Sequence, residues 1–171
     1  MNTLIEIGGG MLLLIVIVGG VLFYVINKQR EREPNPPPPP GDRGPARPTI
    51  VELDPDQPLA AHLQAHATQA HARGLRPVFE VGAIWCPPSK LFGDALDHPH
   101  MQTALANVYL IRADMDAFGH DPLLRELNVV SVPVFFELDG EGRTTGRSIT
   151  GAAWGADTID NMSAALAKFL A

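Results

Sequence analysis

Cys86 is the only cysteine among 171 residues, and its setting, Trp85-Cys86-Pro87-Pro88-Ser89, places a thiol where a strand gives way to a helix. Proline suits the first turn of a helix, so Pro87 or Pro88 marks that start. Unpaired amides and the positive dipole end of a helix N-terminus stabilise a thiolate, which is the nucleophile of sulfur chemistry. The chemistry on offer is thiol–disulfide exchange, oxidation to a sulfenate, or plain thiol capture. The alternative is a buried structural cysteine behaving as a small apolar side chain. One cysteine excludes an internal disulfide framework and any Cys-rich zinc site.

Histidine is the other residue type that could bind or catalyse. His62 and His66 stand four apart on one helix face, and His71, His98, His100 and His120 follow. A first-row metal asks for three or four converging ligands, and no carboxylate or cysteine stands at matching spacing. No metal is expected, and His62 and His66 are placed on a partly exposed helix face.

The elements that must position Cys86 can be read from the pattern of residues 49–171. Thr49–Leu53 reads as a short strand, and Asp54-Pro55-Asp56 opens a helix running through Leu59 and Leu63 to about Ala72, ended by Gly74. Pro77–Trp85 is a mostly apolar run of buried-strand length. Helices follow over about 86–96 and 99–106, then a strand at 108–113 and a short helix at 122–127. Residues 132–138 and 143–149 form a hairpin around Asp139-Gly140-Glu141-Gly142, and 158–170 form a last amphipathic helix. This order predicts an α/β fold with a central mixed sheet flanked by helices. About 120 residues can bury a real core.

These residues carry a resemblance. Val78–Ser89, VFEVGAIWCPPS, looks like the active-site strand and turn of the thioredoxin-like family, W-C-x-x-C, with Ser89 in place of the second cysteine. Ser131-Val132-Pro133 looks like that fold's cis-proline loop. The stretch HPHMQTALANVYLIRADMD is similar to the C-terminal thioredoxin-like domain of the membrane thiol–disulfide interchange reductase. The resemblance covers nearly all of 49–171.

It implies a thioredoxin-like fold with Cys86 as nucleophile. Glu80, six residues before the cysteine, takes the place of the fold's buried acid, which in relatives serves the second cysteine in proton transfer; burial would raise its pKa. Val132 would offer backbone groups beside Pro133 to an extended substrate. Trp85 would shield the thiol and, with Pro87, meet the substrate, although core packing alone would also explain a tryptophan. Ser89 changes the chemistry. A dithiol enzyme attacks a disulfide with its first sulfur and expels itself with the second, and a hydroxyl cannot make that second attack. A mixed disulfide on Cys86 then waits for an outside thiol, glutathione or another. No resident cofactor is implied, and the partners are client protein thiols or disulfides.

The first 48 residues are different in kind. Ile7–Ile26 is an uncharged run of 20 residues. At about 1.5 Å per residue it spans about 30 Å, the hydrocarbon thickness of a bilayer. A cleaved signal peptide would need a basic start and an A-x-A-like site, and neither is present. The expectation is a tail at 1–6, a single-pass membrane anchor at 7–26, a charged and Pro-rich linker at 27–48, and the folded domain at 49–171. Residues 34–48, with Pro36–Pro40, suit a polyproline II stalk of about 45 Å at ~3.1 Å per residue, or else a ligand for a proline-recognising module. Lys28, Arg30 and Arg32 after the span and no cation before it put the domain in the cytoplasm by the positive-inside rule. The resemblance points to the outer, oxidising face instead.

Charge narrows the partners. Residues 1–48 hold five basic and four acidic side chains, which leaves eight and fifteen for the rest. An acidic domain with no basic stripe excludes nucleic acid as the partner. The function expected is therefore monothiol thiol–disulfide exchange or isomerisation by a membrane-tethered thioredoxin-like protein. The alternative is a non-catalytic binding or assembly module of the same fold, and a third reading is a peroxide sensor using a Cys86 sulfenate.

Overall fold

Alternation along the strands decides what each sheet face buries. Val78 and Glu80 point to one face of the second strand and Phe79 and Val81 to the other, and none of these four is exposed. Such a strand needs cover on both sides, which an α/β arrangement supplies. The computed structural model describes residues 47–171 and shows that arrangement. The expected anchor at 7–26 and most of the linker at 27–48 lie outside the described residues. Among the described residues no helix is long and apolar enough to cross a membrane.

Among the described residues five strands and five helices follow one another as β1 (Thr49–Glu52), α1 (Leu59–Ala72), β2 (Arg76–Gly82), α2 (Pro87–Ala95), α3 (Pro99–Ala104), β3 (Val108–Asp114), α4 (Pro122–Glu126), β4 (Val134–Leu138), β5 (Thr144–Thr150) and α5 (Ile159–Leu170), with a short 3-10 turn at Gly151–Trp154. The sheet order is β1-β3-β2-β4-β5. β1, β3 and β2 run parallel, while β4 is antiparallel to β2 and β5 to β4. This is the mixed, helix-flanked sheet of the thioredoxin-like fold expected from the sequence.

The core has two halves. Leu59, Leu63 and Ala70 of α1 pack with Phe79, Val81 and Ile111 on one face. Phe92 of α2, Met101 of α3 and Met162 and Leu166 of α5 pack with Val78, Leu110 and Phe135 on the other. Phe135 is the pivot of the second half: its ring meets Phe92 at 4.9 Å and Trp154 at 6.2 Å, both edge to face.

Several boundaries differ from the expectation, each for a local reason. α1 starts at Leu59, not at Asp54–Asp56, because Pro58 disfavours helical backbone at the residue before it and serves as the cap itself. The acceptor for the Leu59 amide is the Asp121 carboxylate at 2.8 Å, supplied from 62 residues away. The C-terminus follows the pattern: Gly74 sits at φ +67°, with the amides of Gly74 and Leu75 returning to His71 and Ala70. β2 stops at Gly82, three residues short of the expected Trp85. Its parallel partner β3 ends there in register, at Asp114, and the Ile84 amide turns to the Asp114 carboxylate instead. β4 begins at Val134 rather than Val132, since Pro133 has no amide to give a ladder.

Candidate functional site

Cys86 is the N-cap of α2, with extended backbone (φ −89°, ψ 115°) between the end of β2 and the first helical turn. Pro87 and Pro88 occupy the first two helical positions and carry no N–H. The amides expected to face a thiolate are therefore reduced in the first three positions to that of Ser89. Cys86 is 7% exposed, and its sulfur donates its S–H to the Val132 carbonyl at 3.3 Å. The Val132–Pro133 peptide bond is cis. The structure thus brings Cys86 and the Val132–Pro133 loop together across 46 residues of sequence.

The other expected site residues fall into two groups. Pro87 is exposed and Val132 half-buried, while Pro133 is buried. The Pro133 ring packs on Gly151, where an added Cβ would stand 3.1 Å from it, and its carbonyl accepts the Gly151 amide. The contact surface beside the sulfur is accordingly made by Val132 and not by the Pro133 ring. Trp85 is not a core residue: its side chain is 62% exposed, held outward by a hydrogen bond from Nε1 to the Asp116 carboxylate at 2.9 Å. Ile84 and Val130, both 83% exposed, join it as the large apolar side chains open to solvent. They were not singled out from the sequence, because an isolated apolar residue in a loop reads equally well as core.

Behind the sulfur lies a buried polar group that sequence reasoning reached only in part. Glu80 is 1% exposed and Ser89 4%. Burial, the largest influence, pushes the Glu80 carboxyl up to about 7, and Arg112, through charge and hydrogen bond, pulls it down without cancelling this. Arg112 was missed. Its Nε donates to Glu80 Oε2 at 2.7 Å, its other arm donates to Glu52, and its guanidinium lies over the Phe92 ring, 5.6 Å from the centroid. Strand register explains the pairing: Arg112 stands opposite Glu52 on β1 and opposite Glu80 on β2, so the three charges form one row across neighbouring strands. A Cβ on Gly82 would stand 2.5 Å from Glu80 Oε1 and 3.5 Å from Ser89 Cβ, so both side chains border the same glycine.

Asp114 and Asp116, also missed, shape the loop ahead of the cysteine. Asp114 accepts from the amides of Ile84, Asp116 and Ala117, and Asp116 holds Trp85. The histidines do not converge on one point: His62 stacks near His66 with ring centroids 6.3 Å apart, and His98 meets His100 at 5.0 Å. His62 meets Asp56 at 3.0 Å, His66 the Tyr109 hydroxyl at 3.0 Å, His98 caps α3, and His100 meets Asp160 at 2.7 Å. Among the described residues no group of three or more His, Cys, Asp or Glu side chains converges on a metal position.

No protein-family model and no curated protein matches the sequence. Among solved structures the chain is similar to reduced Schistosoma mansoni thioredoxin preprotein, with 22% identity and a TM-score of 0.45 over 71% of this chain and 98% of that one. It is similar to spinach chloroplast thioredoxin f, with 19% identity and a TM-score of 0.46 over 72% and 88% of the two chains. Mitochondrial thioredoxin 3 from Saccharomyces cerevisiae gives 20% identity and 0.45 over 70% and 94%. The fold itself rests on the strand order and register given above.

Proposed function

We propose that this protein carries out thiol–disulfide exchange through Cys86 as a monothiol, forming mixed disulfides with client proteins that an external thiol must resolve. The observation that carries the reading is the placement of Cys86 at the α2 N-cap against the Val132 carbonyl, with Ser89 one turn on. Ile84 and Trp85, just before Cys86, and Val130, two residues before Val132, are exposed, and an unfolded or extended client segment would gain by burying this apolar rim. Adducts trapped on the full-length chain in cells under non-reducing conditions are expected to disappear with reductant and with Cys86→Ala. A client that still co-purifies with Cys86→Ala, but is lost with Val130→Asp, would replace this reading by the binding-module one. That second reading is favoured by the low exposure of Cys86 beside so open an apolar rim.

The proposal includes a tether: residues 7–26 anchor the chain in a membrane and Lys28, Arg30 and Arg32 keep the domain on the cytoplasmic side. In intact spheroplasts the domain is expected to resist added protease. Its digestion there would move the domain to the outer face.

A further inference from the structure

Beside Ser89 lies a cleft of about 450 Å³. Glu80 and Ser89 line it, and so do Gly82 and Gly93, which put no side chain into it. Cys86, Trp85, Val130, Val132 and Pro133 are not among its walls, while Ile84 is, so it opens on the Ser89 side of α2 and borders the exposed apolar residues at Ile84 alone. Two buried polar atoms of its lining residues, Glu80 Oε1 and Ser89 Oγ, have no hydrogen-bond partner among the described residues. Buried polar atoms are nearly always satisfied, so a cleft presenting two unpartnered ones is built to receive a polar group.

The charges around the cleft are already partnered. Lys90 pairs with Asp94 at 2.9 Å, Arg112 with Glu52 and Glu80, and Asp114 with three backbone amides. With two cations against Glu52, Asp94, Asp114 and Glu80, the surroundings are acidic on balance. An anionic ligand is disfavoured there and a cationic or neutral one is not.

We propose that this cleft admits a low-molecular-mass thiol, uncharged or cationic, which resolves mixed disulfides on Cys86 from the Ser89 side, with the client on the Val132 side. The inference rests on the monothiol reading above. A sulfur attacking a disulfide arrives in line with the bond it breaks, so with the client on the Val132 side the attack comes past Ser89. The incoming thiol gives its proton to Glu80 Oε1, and Ser89 Oγ donates a hydrogen bond to the thiolate. The thiolate sulfur bonds to Cys86 Sγ, and the client sulfur leaves as a thiolate that takes a proton from water. A second molecule of the same thiol, its proton passing to water, attacks the first one's sulfur; Cys86 leaves as a thiolate and is reprotonated as Glu80 gives up its proton, and a small-molecule disulfide departs. Two small thiols are oxidised, and the client disulfide is reduced.

Gly93 provides the test. A Cβ there meets only the tip of Arg112, at 3.5 Å, and Met and Ala both favour a helix interior over Gly, so Gly93→Met folds and extends into the cleft. The full-length chain in detergent is first loaded with the chromogenic disulfide dithiobis(nitrobenzoate), which releases one coloured thiolate. Added 2-mercaptoethanol then releases the second. Loading is expected to match the parent in Gly93→Met and Gly93→Ala, while the second release slows about tenfold in Gly93→Met only, equivalent to about 1.4 kcal/mol of barrier. In the parent, cysteamine should release faster than mercaptoethanesulfonate once each is normalised to the same adduct on an unstructured cysteine peptide. Equal second-release rates in all three proteins, or the reverse charge order, would overturn the cleft proposal and leave the monothiol reading standing. Failure of Cys86 to load at all overturns the monothiol reading and this step with it.

Discussion

A Ser89→Cys variant is expected to discard a client from Cys86 unaided, whereas in the parent the same mixed disulfide should persist until an outside thiol is added. Residues 86 and 89 are the N-cap and third residue of α2, on one face of the first turn. A sulfur at 89 faces Cys86 at an effective concentration that millimolar free thiol cannot match, so resolution becomes intramolecular. The exchange of oxygen for sulfur also relieves an existing fault. Ser89 Oγ is buried without a partner, a situation that costs about 1–3 kcal/mol, and a thiol asks less of its surroundings. Glu80 Oε1, unpartnered beside the same glycine, would lie close enough to serve the new thiol. The measurement is single-turnover release of a labelled peptide from Cys86, with no free thiol present. In catalysed insulin reduction with dithiothreitol the variant should exceed the parent about tenfold or more. Spontaneous release by the parent would mean that a single sulfur suffices here. A variant that forms the 86–89 disulfide yet leaves insulin intact would mean that the client rim is built for holding and not for exchange.

The second large effect is on stability. Glu80 moves from an ordinary 4.5 to about 7 on folding because burial disfavours its charge. Below 4.5 the carboxyl is protonated in both the folded and unfolded chain and nothing is lost. Between 4.5 and 7 the unfolded chain ionises first, and above 7 the folded state carries the full cost of a buried carboxylate. The rise from 4.5 to about 7 corresponds to about 3 kcal/mol of stability lost as pH rises through that window. Glu80→Gln keeps the shape and an oxygen for Arg112 but cannot ionise. In urea unfolding of the full-length chain, the stability difference between variant and parent should move by about 3 kcal/mol in favour of Gln between pH 4 and 8. His66, whose pKa burial lowers, is common to both proteins and cancels. Parallel curves would show that Glu80 titrates alike in the folded and unfolded chain and that Arg112 fully offsets its burial.

The parts of the site that were legible in the sequence are those set by local rules. The thiol's place at a helix start follows from two prolines after an apolar run, because proline is tolerated in the first helical turn and nowhere else in the helix. Even there the two prolines remove amide donors, a consequence visible once Pro87 and Pro88 are seen to fill the first two positions. The buried acid was legible only through the resemblance of Val78–Ser89 to a known active-site strand; the structure supplies the physical reason, since Glu80 lies in a strand covered on both faces. Trp85 was not legible, since the bond that turns it outward comes from Asp116, 31 residues away.

From its residue pattern alone the chain specified the element order, the α/β class, the single sulfur at a strand-to-helix junction and the absence of a second one. These follow from periodicity, proline and residue type, which act over a few residues. Only the tertiary structure decided which partners those residues meet. Period-two alternation tells which face of β2 carries Glu80, but pairing Glu52, Arg112 and Glu80 in one row depends on the register of three strands far apart in sequence. The same holds for the Val132 carbonyl on Cys86 and for the burial of the Pro133 ring, which wait on β4 docking beside β2. A one-residue slip in either pairing would turn every one of these side chains to the other face, and no local signal in the sequence records the register that was chosen.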